Sequence, residues 1–114
     1  MGVFTSFDLL KRMLKDFTDN PRLLNELAWL ILTQNEYLKV NPEVALRYAQ
    51  DAVNLMEKRN EHEQLYAAYD TLAEAYFQTG DPGKAVFFEK KAIDLAPQDE
   101  KEAFKKRMDR FRAE

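Results

Sequence analysis

Residues Tyr66 to Asp99 read YAAYDTLAEAYFQTGDPGKAVFFEKKAIDLAPQD. Within this stretch Tyr69, Leu72, Ala73 and Tyr76 recur at the three-and-four spacing that puts side chains on one face of a helix. Gly80-Asp81-Pro82 then breaks the pattern: Gly suits a helix end, Asp is a good N-cap, and Pro is tolerated in a first helical turn but not in an interior. Ala85, Ala92 and Leu95 resume the helical period until Pro97 stops it. The stretch therefore specifies two antiparallel helices joined by a tight turn.

The same punctuation recurs outward from it. Asn20-Pro21 and Asn41-Pro42 repeat the pairing of an N-cap with a proline at the first helical position. Asn60 with Glu63, and Asp99 with Glu102, have the cap-plus-three spacing of a capping box, and Thr5 with Asp8 offers a weaker start. Apolar residues between these marks keep helical rather than alternating spacing, as in Phe7, Leu10, Leu14 and Phe17. The expected fold class is all-α, an antiparallel helix-hairpin array of about six helices over 6–18, 21–35, 42–58, 61–79, 82–96 and 99–113.

An internal repeat is visible. Leu24, Leu27, Ala28 and Ile31 map onto Tyr69, Leu72, Ala73 and Tyr76 at one constant offset, and Ala45, Ala52 and Leu55 map onto Ala85, Ala92 and Leu95 at a slightly smaller one. The difference falls in the connection Asn35 to Asn41, which carries Tyr37, Leu38 and Val40 and can fold back onto the helices. Ala28, Ala45, Ala73 and Ala85 are the expected points of closest helix approach, where a larger side chain would strain the core.

The order aromatic, Leu, small residue and Tyr on one helix, followed by Ala and a closing Pro on the next, resembles the tetratricopeptide repeat. Leu27-Ala28-Trp29 with its extended turn is similar to a divergent variant common in bacterial proteins. The resemblance covers about residues 21–99. It departs from the family pattern at Glu89, where an aromatic is usual, and at Glu57, which replaces the closing Pro of the first repeat. A single domain spanning 1–114 follows: an N-terminal helix in 1–20, a divergent repeat in 21–59, a second repeat in 60–98 and a capping helix in 99–114. Ala103, Phe104, Met108 and Phe111 give that last helix its apolar face.

Composition fits this architecture. A chain of 114 residues with 46% hydrophobic and 32% charged residues can bury a core without staples. A net charge of −3, from interspersed acids and bases, gives no long-range field for a polyanionic partner. Absence of cysteine excludes disulfides and thiolate metal sites. No apolar run approaches a membrane span, so a cytoplasmic protein is expected. The start Met1-Gly2-Val3-Phe4-Thr5-Ser6 fits the short N-myristoylation pattern, which carries little weight.

Catalytic chemistry finds no constellation here. His62 opens His62-Glu63-Gln64-Leu65-Tyr66, which has Tyr66 where a zinc-binding HExxH needs its second ligand. There is no Gly-rich phosphate loop, and no cofactor or small-molecule substrate is expected. Lys101, Lys105, Lys106, Arg107, Arg110 and Arg112 make the last helix locally basic, but Asp99, Glu100, Glu102, Asp109 and Glu114 nearly cancel them, which disfavours nucleic acid.

A second stripe lies on the first helix of each repeat, opposite the packing residues. Ala67, Asp70, Glu74 and Phe77 or Gln78 share it, with Arg22, Asn25, Trp29 and Leu32 or Thr33 as counterparts. The family resemblance implies that this face lines a groove for partner peptides. Trp29 is then either an anchor in the groove or part of the core, Asn25 a hydrogen-bonder to peptide backbone, and Asp70 and Glu74 acids for a basic segment of the partner. The expected function is non-enzymatic protein binding or scaffolding. Self-association or docking within a longer polypeptide, using Phe4, Phe7, Phe17 or Tyr37, is the alternative.

Overall fold

The computed structural model describes residues 18–113, and among them every regular element is a helix. These are α1 (Pro21–Thr33), the short α2 (Asn35–Leu38), α3 (Pro42–Lys58), α4 (Leu65–Gln78), α5 (Pro82–Leu95) and α6 (Gln98–Ala113). The helix expected over 6–18 lies almost entirely outside the described residues, as do Phe4, Phe7 and Phe17.

Each proline-marked start forms as its chemistry dictates. The Asn20 side chain accepts from the backbone N–H groups of Arg22 and Leu23, Asn41 from Glu43, and Asp81 from Lys84. The two starts without proline differ from expectation. Asn60 is not an N-cap: it takes a left-handed conformation at φ 54°, and α4 begins only at Leu65. Glu61 N–H donates to Met56 C=O and Asn60 N–H to Glu57 C=O, so this segment is a Schellman ending of α3. Gly80, at φ 93°, does the same for α4, with Asp81 N–H on Tyr76 C=O and Gly80 N–H on Phe77 C=O. Asp99 lies inside the first turn of α6, because that helix already starts at Gln98.

The connection after α1 is more ordered than a plain loop. It coils into α2, Lys39 turns left-handed at φ 49°, and Asn35 Nδ2 donates to Val40 C=O at 2.8 Å. Leu38 and Val40 pack against the core, whereas Tyr37 stays 81% exposed.

Successive helices pack as neighbours, α1 on α3, α3 on α4, α4 on α5 and α5 on α6, with α1 also touching α4. Leu24, Leu27, Ala28 and Ile31 of α1 are all buried, as are Tyr69, Leu72 and Ala73 of α4. Ala28, Ala45, Ala73 and Ala85 are fully inaccessible, at the close helix approaches that only a small side chain permits.

Polar tips on this core are matched across helices. Tyr69 donates its hydroxyl to Glu57 at 2.6 Å, and Gln50 Nε2 donates to the Tyr76 hydroxyl at 2.9 Å. Burial and then the Glu57 bond push the Tyr69 phenol up to about 12. Glu57, which departs from the repeat pattern, thus has a structural role. On α6, Phe104 and Phe111 are buried and Met108 is half-buried, but Ala103 is exposed rather than on the packing face.

Candidate functional site

The first helices of the two hairpins and the last helix stand side by side, and a groove of about 490 Å³ runs between them. Asn25, Glu26, Trp29 and Leu30 form its α1 wall, two pairs at i,i+4 spacing that place four side chains on one ridge. Tyr66, Ala67, Asp70 and Thr71 repeat that ridge on α4, while Glu100, Phe104 and Arg107 close the groove from α6.

Trp29 is half-buried and lies on the groove wall. Its ring faces the Arg107 guanidinium, whose carbon is 5.2 Å from the Trp29 centroid and 5.6 Å from that of Phe104. Beneath this stack Arg107 Nε donates to Asp70 Oδ1 at 3.1 Å and stands 3.8 Å from Glu89 Oε2, too far for a hydrogen bond. One turn further along, Arg110 donates to Glu74.

Glu89 is the most unusual group. It is fully inaccessible, and as a carboxylate neither oxygen has a hydrogen-bond partner among the described residues. Burial, and then the neighbouring Asp70, push its carboxyl far above the ordinary carboxylate range. In the protonated form its single O–H is a donor to Asp70, which gives one of the two orphaned oxygens a partner. Asp70 is itself raised by burial, against the opposing pull of Glu89 and Arg107. The cluster is therefore a neutral acid, a carboxylate and a guanidinium under the groove floor.

The residues of the sequence-derived stripe separate into two sets. Asn25, Trp29 and Asp70 line the groove together. Arg22 borders a different hollow with His62 and Asn60, and Glu74, Phe77 and Gln78 lie off the groove. Phe77 packs on Phe111 at 4.9 Å between centroids, and Gln78 Nε2 bonds Leu32 C=O and Glu74, tying α4 to α1. Asp70 and Glu74, expected to face a partner, are instead buried against the protein's own arginines.

Sequence reasoning missed Arg107, Phe104, Glu100 and Glu26 as groove residues. The signal was present in the spacing Glu100, Phe104, Arg107, which continues one face of α6 in steps of four and three. The charges of the last helix are also not uniformly solvated: Arg107 turns inward to Asp70, Arg110 reaches the buried Glu74 from a half-exposed position, and Lys101 donates to Ile93 C=O.

No group of residues with metal-ligand geometry occurs among those described, and no described helix is long and apolar enough to cross a membrane. Compared with protein-family models, curated proteins and solved structures, the chain matches none.

Proposed function

We propose that the chain is a non-enzymatic interaction module of tetratricopeptide type, acting in the cytoplasm, that holds a peptide segment of a partner protein in the groove between α1, α4 and α6. One observation carries this reading: a large aromatic side chain, Trp29, stays half-exposed on the wall of a groove built from the helix faces that the repeat motif leaves free. Exposed Leu30 beside it and the Asn25 amide supply apolar contact and hydrogen bonding for a main chain.

A peptide array probed with the intact chain tests the reading, followed by Trp29→Ala and Asn25→Ala on the strongest binders. Losses of about tenfold or more are expected for Trp29→Ala, the scale of a binding hot spot. Unchanged binding in both variants would remove the groove from consideration.

Self-association is the second reading, favoured by the exposed aromatics Tyr37 at 81% and Phe87 at 54%. Light scattering over a range of concentrations separates the two, since a mass that stays at one chain counts against assembly.

A further inference from the structure

We infer that the occupant of the groove presents a cationic side chain, lysine or arginine, whose head is held by Glu26 and Glu100 and whose stem lies along Trp29 and Leu30. The inference rests on the groove being the binding site, and it assigns the partner's chemistry.

The charges that line the groove are three carboxylates against one guanidinium. Asp70 and Arg107 cancel one another through their hydrogen bond, which leaves Glu26 and Glu100 uncompensated. Neither has an ion-pair partner among the described residues, and they come from opposite walls, α1 and α6. Glu100 acts locally on Tyr66, whose phenol is raised first by a hydrogen bond to the Glu100 carboxylate, then by burial, and then by the Glu100 charge.

The remaining features ask for the same ligand. The Trp29 ring is an electron-rich face on the groove wall, already in use by a guanidinium. Thr71, the neutral hydroxyl on the α4 wall, already spends its donor on Ala67 C=O at 3.0 Å. What the groove offers is thus acceptors and a π face, whereas an acidic ligand would meet Glu26 and Glu100 as like charges. The protein's own Arg107 demonstrates the chemistry, with a guanidinium set between aromatic rings and a carboxylate. A partner's cation would extend that arrangement outward from the same Trp29.

The test uses the single tryptophan as its probe. Matched peptide series that differ only by Lys, Gln or Glu at one position are titrated against the intact chain while Trp29 fluorescence is followed. Lys peptides are expected to perturb Trp29 and to bind more weakly as salt rises. The double variant Glu26→Gln with Glu100→Gln, both sites solvent-accessible, is expected to lower that affinity about 2- to 30-fold and flatten the salt dependence. Binding of Gln or Glu peptides that equals or exceeds that of Lys peptides, and is lost in Trp29→Ala when followed by the fluorescence anisotropy of a labelled peptide, would overturn the cation assignment and leave the groove reading standing. Failure of every series to perturb Trp29 would overturn both.

Discussion

Glu89 decides how this protein responds to pH. Its ordinary value is 4.5, and in the fold it is raised well above that. Between those two values the folded chain holds a proton that the unfolded chain has released, so the Glu89 contribution to stability is fully present below its ordinary value and is lost as pH rises toward its raised value in the fold. Asp70, also raised, adds in the same direction. Glu89→Gln replaces the neutral acid with a neutral amide that keeps a donor toward Asp70. The variant is expected to be more stable than the parent at pH 8 by on the order of 1–3 kcal/mol, and to match it near pH 4. Urea unfolding across pH measures this, and an unaltered pH slope would mean that Glu89 is ionised in the fold. The residue was conspicuous in the sequence only as a missing aromatic, because nothing local reveals that Asp70 and Arg107, from two other helices, converge on it.

At the scale of elements, Asn60 and Gly80 close α3 and α4 with the same hydrogen-bond pattern, at φ 54° and 93°. A Cβ at Gly80 meets nothing within 4 Å, so the cost of Gly80→Ala is backbone strain alone. It should be roughly 1–2 kcal/mol. Asn60→Gly, at a site where Asn already tolerates the left-handed region, should change stability by less than about 0.5 kcal/mol. Denaturation midpoints of the two variants compare them directly; equal costs would sink the equivalence. The helix starts at Pro21, Pro42 and Pro82 were legible because Asn or Asp followed by Pro has one strong local meaning. Asn60 misled because Asn serves equally at a helix start and in a left-handed ending, and Glu63 three residues on completes a pattern that the chain does not use. The buried row Leu24, Leu27, Ala28 and Ile31 was readable from periodicity. Asn25, Trp29 and Asp70 were readable as groove residues for the same reason, being what periodicity leaves over. The face of Arg107 was readable from its spacing with Glu100 and Phe104, but its pairing with Asp70 was not, since that carboxylate lies far away in sequence.

Across the whole molecule α6 is both a lid on the core and a wall of the groove, so stability and the proposed recognition are joined in one helix. It buries Phe104 at 6% and Phe111 at 0% exposure, Phe104 near Tyr66 and Phe111 against Phe77. Withdrawing two buried phenylalanines costs about 3–6 kcal/mol, a large share of the roughly 5–15 kcal/mol that holds a domain together. The loss goes beyond apolar area. Asp70 and Glu74 would surrender their guanidinium partners, and the walls from α1 and α4 would lack the third that encloses Trp29. A chain ending at Pro97 should therefore unfold at much lower urea than the parent, in a single transition, with Trp29 fluorescence and helical circular dichroism falling together. Arg107→Met separates the two contributions of α6, because it preserves bulk against Phe104 and Trp29 while removing the charge. It should cost about 1–3 kcal/mol at pH 7 and less at pH 5, as Asp70 gains its proton more readily without the guanidinium. A truncated chain as stable as the parent would show α6 to be peripheral. A cost for Arg107→Met that does not shrink in acid would assign the arginine's contribution to packing rather than to its ion pair.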